Sequence, residues 1–503
     1  MTDAWAYHNK TKHSPESVRH NAHFLDWANR PLLFKIYPDL PPIALPKDTP
    51  QSGVSALSAV ATPTVPGGAA APDLAVLTSL LFFSAGVTRR RGEFLFRAAA
   101  CTGALYEIEL YLACGDLAGL SAGLYHFNPG DLSLRRLRQG DFRGNIAAAA
   151  GGEDALARAP AVIIATGVYW RNAWKYQART YRHFGWDNGT LTANLLAMAA
   201  AHGLPARLVC GFVDAEINRL LGVDTEREAA LSAVALGDGQ PAGAGTAVGP
   251  LDLNIVPYSS REVDYPDMRE MHAASSLELA VEARAWREAA SGFPEHKPAL
   301  DTRFIPLQPL SDADMPADTI EQVVLRRGSS RRFTGRPIRF VELSTILDRA
   351  TRGIPADFLA ARGGRLNELY LIVNAVDGLE PGAYYFDAEQ RRLETLSEGD
   401  FRAQAAFLAL EQQLAGDAAV AVFFLADLER CLRRLGNRGY RAAQLEAGIL
   451  GGKIYLGAYA LHLGATGLTF YDDEVTRFFS PHAHGKSAVF LTAIGSPAGN
   501  PLP

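Results

Sequence analysis

The run LAVLTSLLFFSAG at 74–86 is almost wholly apolar, and FVELSTILDRATRG at 340–353 repeats apolar positions at helical spacing. Both predict helices that open a folded unit. The same succession follows each of them. Short segments rich in β-branched and aromatic residues read as paired strands: EIELYLA and GLYHF in the first half of the chain, NELYLIV and AYYF in the second. A third strand ends before the tetrapeptide GDFR. A central apolar strand comes next, APAVIIATG at 159–167 or AAVAVFFLA at 418–426. A long helix with small residues along one face carries Gly189 or Gly448, and a last strand closes each unit. Strands and helices mix without regular βαβ alternation, and no GxGxxG follows a strand. The pattern predicts an α+β fold rather than a doubly wound sheet.

GDFR occurs at 140–143 and again at 399–402, an offset of 259. The same offset places GLSAGLYHF (119–127) on GLEPGAYYF (378–386), ELYL (109–112) on ELYL (368–371), RTYR (179–182) on RGYR (438–441), Gly189 on Gly448 and Asp214 on Asp473. It slips by one before Gly237 and Gly495. A fixed offset over more than a hundred residues marks duplication and fusion of a whole domain. Two such copies are expected to pack as a pseudo-symmetric pair, a covalent version of a homodimer, with ligand sites between them. The expected domains are 1–250, with an irregular arm at 41–72, and 251–503, with a lead-in over 251–318. Residues 238–270 join the halves, and SSLELAVEARAWREAASG at 275–292 reads as a surface helix. GDFR itself, kept in both copies, belongs to the scaffold: a turn and helix start, with Asp141 or Asp400 as cap.

The chain has 503 residues, 48% of them hydrophobic, enough for two or three domains with a large core. A net charge of −5 argues against a broad nucleic-acid-binding surface. Cys101, Cys114, Cys210 and Cys431 have no metal-ligand spacing and read as free thiols of a reducing compartment; no metal site is expected. The N-terminal stretch lacks an apolar signal region, and LAVLTSLLFF at 74–83 is too short to span a bilayer. A soluble, cytoplasmic protein is the expectation.

The copies differ in three places. LRRGSSRRF at 325–333 puts Arg327, Ser329 and Arg331 at alternating positions, on one side of an extended segment, where two guanidiniums and a hydroxyl suit a phosphate. The corresponding part of the first half has no Lys or Arg between Lys47 and Arg89. The first half carries eight extra residues between its first helix and ELYL, in the run FLFRAAACTGALYEIELY, whose small residues let a backbone approach a flat ligand. Lys175 and Tyr176 of RNAWKYQARTYR become Arg434 and Leu435 in the second half.

Together these stretches resemble the nitroreductase superfamily of FMN enzymes, in particular the SagB-type (thiazole/oxazole-forming, McbC-like) dehydrogenases. RxSxRxF at 327–333 is similar to the family's FMN-phosphate motif. RAAACTGALYEIELY at 97–111 is similar to its PSxGxLxPxELY loop, with Ala100 and Cys101 where the family often has Pro-Ser and Glu107 where it often has Pro. KYxxRxYR at 175–182 is similar to its Lys-Tyr motif. The resemblance implies FMN held by Arg327, Ser329 and Arg331 from one half and by Ala100, Cys101, Thr102, Gly103 and Leu105 from the other. That makes one composite site and one FMN per chain. Replacing Arg327 and Arg331 should abolish flavin retention; replacing Arg89 and Arg90 should not.

The resemblance further implies oxidation of an azoline ring in a modified peptide, or of a related small molecule, with Lys175 or Tyr176 as base. Burial would lower the pKa of Lys175, and Arg171 and Arg179 would lower that of Tyr176. The alternatives are an NAD(P)H-driven nitroreductase or quinone reductase, and a non-catalytic flavin-binding or scaffold protein. A monomeric pseudo-dimer or a higher homo-oligomer, with no nucleic-acid or membrane partner, completes the expectation.

Overall fold

Every strand pairing in the two main sheets is antiparallel, as the absence of βαβ alternation requires. A computed structural model describes residues 3–63, 70–291, 303–360 and 364–499. The first sheet is built from β1 (Pro42–Ala44), β4 (Ile108–Cys114), β5 (Gly123–Asn128), β6 (Ser133–Gln139), β7 (Ala161–Val168), β8 (Ala206–Val209) and β9 (Glu228–Leu236). A separate hairpin, β2 (Val87–Arg91) and β3 (Phe94–Arg97), stands beside it. The second sheet is β10 (Phe304–Pro306), β11 (Asn367–Val373), β12 (Gly382–Asp387), β13 (Arg392–Glu398), β14 (Val420–Ala426), β15 (Gly464–Gly467) and β16 (Ser487–Gly495).

The strand orders are β1-β6-β5-β4-β7-β9-β8 and β10-β13-β12-β11-β14-β16-β15, the same topology twice. The irregularities repeat too. The register shifts at Leu124/Tyr125 and at Ala383/Tyr384, and again at Ala165/Thr166 and Phe424/Leu425. A bulge kept at the same place in both copies is part of the fold, bending the strand where the sheet must curve around its helix.

The helices that matter for the site are α1 (Asp3–Lys10), α2 (Ala56–Ala61), α3 (Leu74–Ala85), α4 (Tyr169–Tyr176), α5 (Thr180–Ala201), α6 (Asp214–Leu221), α7 (Pro266–Ala274), α8 (Ala280–Ser291), α9 (Ile320–Arg326), α10 (Phe340–Ala350), α11 (Arg438–Ala460) and α12 (Asp472–Phe478). The long helices α5 and α11 cross where both carry glycine. A Cβ on Gly189 would lie 2.5 Å from Gly448 Cα, and one on Gly448 would lie 2.5 Å from Trp186 O. Small residues on these faces let the two backbones touch.

Around that crossing the halves exchange ion pairs. Arg179 and Arg182 reach Asp472, at 3.2 and 2.5 Å, and Arg438 and Arg441 reach Asp214, at 2.5 and 2.7 Å. All six side chains are buried. Asp472, rather than the expected Asp473, is therefore the counterpart of Asp214; each is the first residue of its short helix, so the register slip precedes residue 472. The repeat also reaches further toward the N-terminus than the offset of 259 reveals. His8 of α1 bonds Tyr440 Oη (3.2 Å) as His272 of α7 bonds Tyr181 Oη (3.1 Å).

Three sequence expectations need correction. The arm at 41–72 contains regular structure: β1 edges the first sheet, α2 packs on the central helices, and 64–69 lie outside the described residues. The helix expected over 275–292 is α8, shorter, and it is not a free surface element, because Ala283, Trp286 and Ala290 are buried. Asp141 and Asp400 stand one residue ahead of the N-cap and accept the N–H of Arg143 and Arg402, each at 3.0 Å. Their GDFR arginines then tie down carbonyls, Ala159 in one half and Gly416 and Asn374 in the other. All four cysteines are free, and no described helix is long and apolar enough to cross a membrane.

Candidate functional site

A cavity of about 430 Å³ opens between the halves, within the range of small-molecule sites. Its first-half wall is the hairpin β2–β3, the 99–106 loop and the facing ends of α4 and α5. Its second-half wall is the 327–331 segment, Gln412, Leu414, Tyr455, the 466–469 segment and Phe490. Among the sequence-derived candidates, Ala100, Cys101, Thr102, Gly103, Lys175, Tyr176, Arg327, Ser329 and Arg331 all line it. Leu105 does not. It is buried with Val168, Trp170, Trp174 and Tyr258. The loop turns at Gly103, Ala104 and Tyr106 with φ of +64°, +53° and +54°, and this sends Leu105 into the core and Tyr106 toward the cavity. Left-handed Ala and Tyr are costly conformations that persist where the surroundings impose them.

The loop is pinned from α5. Asp187 accepts the Thr102 N–H at 2.9 Å and the Thr102 hydroxyl at 2.9 Å, and the Thr190 hydroxyl donates to Ala100 O at 2.6 Å. A side chain at Gly103 would meet Tyr176 Oη at 2.8 Å, so only glycine lets the loop pass so near the phenol.

The three residues of the 327–331 motif have different surroundings. Arg327 is buried; its Nε donates to Ala98 O (2.8 Å) and its Nη2 to Arg97 O (2.9 Å), so its guanidinium is anchored on the other half's backbone. Ser329 Oγ lies 3.4 Å from Tyr455 Oη. Arg331 is exposed into the cavity and has no ion-pair partner among the described residues. Arg89, whose replacement is expected to leave flavin retained, lines the cavity and donates to Arg327 O at 2.9 Å, bracing the same segment.

Lys175 and Tyr176 share the far wall. Lys175 Nζ lies 5.2 Å from the Tyr176 ring centroid, and burial, then the charge of Arg331, holds its ammonium below the ordinary lysine value. Tyr176 goes the other way from the expectation. Burial, then Asp187, Cys101 and Glu107, push its phenol up. Arg171 and Arg179 cannot counter this, because Arg171 is paired with Glu109 and Arg179 with Asp472. Asp187, Arg97, Tyr455, Gln412 and Thr469 were missed by sequence reading. Comparison at the offset of 259 would have flagged Asp187 against Glu446 and Tyr455 against Leu196.

The pseudo-symmetric position is filled. The counterparts of the cavity residues Tyr176, Gln412 and Thr469 are Leu435, Glu153 and Gly211. Leu435 O accepts Trp286 Nε1 at 2.9 Å, Glu153 pairs with Arg287 at 3.0 Å, and Trp286, Arg287 and Asp357 crowd Gly211 within 3.1 Å of where a Cβ would stand. Helix α8 thus plugs the second site with its own side chains.

Comparison with known proteins finds similarity in both halves. The model of the nitroreductase family matches residues 96–238 and 324–493, once in each half. A protein of Methanocaldococcus jannaschii assigned as a nitroreductase (MJ1384) is 29% identical over 171 residues, 32% of this chain and 84% of that protein. A crystal structure of a protein from Anabaena variabilis, also assigned as a nitroreductase, superposes with a TM-score of 0.79 at 26% identity; the match covers 99% of this chain and 100% of that one.

Proposed function

The chain belongs to the nitroreductase family, and from that premise we propose that it is an FMN-dependent oxidoreductase acting as a SagB-like dehydrogenase on an azoline-containing peptide or a related small molecule. The observation that carries the reading is the composite cavity, with Lys175 and Tyr176 on one wall and Arg331 on the other.

The residues present fit a flat aromatic ring with an anionic tail. Phe96, Trp186, Leu468 and Phe490 offer apolar surface, the 101–104 loop brings backbone close to the cavity, and Arg331 offers an uncommitted guanidinium. Ser329 and Tyr455 add hydroxyls beside it. When bound, FMN supplies the hydride acceptor. Lys175 is the better base of the two candidates: burial and Arg331 lower its pKa, toward the neutral amine that can take a proton from the substrate. Tyr176 keeps its proton and serves as a hydrogen-bond donor to the substrate. Both are half-buried in the cavity wall, so a bound substrate would cover them and limit competition from bulk water for the transferred proton.

The test is to load the protein with FMN, add a peptide carrying a preformed azoline, and follow loss of two hydrogens by mass spectrometry. Azole formation that disappears in Lys175→Ala supports the reading. No turnover of the peptide, with rapid flavin bleaching by NADPH, would replace it with the reductase alternative.

A further inference from the structure

The cavity wall beside the 99–106 loop holds a pair of acids that its twin in the second half lacks. Asp187 and Glu107 are both buried. Cys101 Sγ lies 3.4 Å from Asp187 Oδ2 and 3.5 Å from Glu107 Oε2, so both carboxyls converge on one sulfur. The other oxygen of Glu107 has no hydrogen-bond partner, and one ligand atom from each of Cys101, Glu107 and Asp187 lies within 4.8 Å of the others, with no ion pair to either acid among the described residues.

The groups facing this cluster do not neutralise it. Tyr176, from α4, keeps its proton. Tyr106 gives its N–H to Cys101 Sγ at 3.1 Å. Arg97, from β3, donates its Nη2 to Leu33 O, and Arg331, from the second half, sits on the Tyr176 side. Thr102 gives two donors to Asp187 and none to Glu107. Two adjacent buried carboxyls without a cation cannot both stay ionised. Burial and the neighbouring Glu107 push the Asp187 carboxyl well above the ordinary range.

The second half is an internal control. There Glu446 takes the place of Asp187, and Leu366 the place of Glu107. Glu446 Oε2 is satisfied by Leu366 N–H (2.8 Å), Asn367 N–H (2.8 Å) and Asn367 Nδ2 (2.7 Å), with no second acid beside it. The pair occurs only in the half whose loop borders the cavity.

We propose that Asp187, facing the buried Glu107 carboxyl, keeps its proton at neutral pH and, with Cys101, forms a positioning group that holds the Thr102 backbone while limiting the negative charge on this wall. Its value to a cavity binding an electron-rich cofactor rests on the proposed function; the proton on Asp187 itself does not. Neither acid is a catalytic residue in this assignment. They act through the loop they hold.

The test is infrared spectroscopy of the full-length protein, with and without added FMN, in H₂O and D₂O at pH 7. The wild-type-minus-Glu107→Gln difference spectrum is expected to contain a carboxylic-acid C=O band that shifts in D₂O, because the amide introduced by that substitution can donate to Asp187 and let it ionise. Glu446→Gln, which removes a separate acid band of its own because Glu446 titrates at about 7, must leave that band in place. Should Glu107→Gln fail to fold, Cys101→Ala serves instead: removing the thiol should move the band without abolishing it. A difference spectrum showing no lost acid band, a Cys101→Ala spectrum with the band unmoved, or stoichiometric divalent metal released from the wild type but not from Cys101→Ala would each overturn the proposal. Failure of FMN to bind would count against the proposed function alone, since the band is read in either state.

Discussion

Arg327 of the second half donates to the carbonyls of Ala98 and Arg97 in the first, at 2.8 and 2.9 Å. One arginine of a motif that looks like a phosphate binder thus serves as a clamp between the halves, and Arg331 is left to face the cavity.

The two arginines should therefore separate in mutants. Arg331→Ala is expected to keep the melting temperature of the ligand-free protein while weakening FMN binding at least tenfold, about 1.4 kcal/mol. Arg327→Ala should lower the melting temperature of the ligand-free protein as well, by about 1–3 kcal/mol of stability, because two buried carbonyls lose their donors. Thermal shift with and without FMN checks both. Equal loss of stability in the two variants would contradict the division of roles. Arg90→Ala, on the exposed hairpin, should change neither.

Activity should depend on Lys175 through its neutral form. The rate is expected to rise with pH as the ammonium loses its proton, at a pH below that of an ordinary lysine. Lys175→Ala should abolish this limb. Tyr176→Phe should lower the rate and leave the limb in place, because the phenol stays protonated across the range. A limb that vanishes in Tyr176→Phe and persists in Lys175→Ala would reverse the assignment.

Glu446 predicts a pH dependence of stability. Burial raises its pKa to about 7, while the unfolded chain titrates near ~4.3. Between those values the folded state holds a proton that the unfolded state has lost. Stability due to this group is therefore present below about pH 4 and falls as pH rises to 7. Chemical denaturation from pH 5 to 8 should show the wild type losing stability relative to Glu446→Gln, by about 1–3 kcal/mol. A constant difference would refute the raised pKa.

Asp214 and Asp472 behave oppositely. Each is held below the usual carboxylate range against burial by two arginines from the opposite half. Their contribution is present above the unfolded pKa and is lost as pH falls through the folded one. Asp214→Asn leaves the buried guanidiniums of Arg438 and Arg441 without their shared counter-charge and should cost about 3–5 kcal/mol, read as a large drop in the denaturation midpoint. A near-neutral variant would show that the exchanged pairs are not what holds the halves together.

Much of this was legible in the chain. The repeat, the α+β class and the split of candidate residues between halves follow from the offset of 259, because duplicated elements keep their spacing where loops keep their length. The α1–α7 correspondence was hidden because a longer connection shifts its offset. Leu105 was misplaced because sequence adjacency does not tell which way a loop with left-handed residues at 103, 104 and 106 turns its side chains. Arg327 was misread because a buried guanidinium and a cavity-facing one look alike in sequence. The acid pair and the α8 plug depend on contacts between residues far apart in the chain, Glu107 with Asp187 and Trp286 with Leu435.

The central claim is that one half lends the loop, the other lends Arg331, and α8 fills the opposite position. The most direct measurement is flavin stoichiometry: saturate the purified chain with FMN, remove the excess, denature, and compare released flavin with protein concentration. One FMN per chain is expected in the wild type and none retained by Arg331→Ala. Two FMN per chain, or none retained by the wild type, would contradict it.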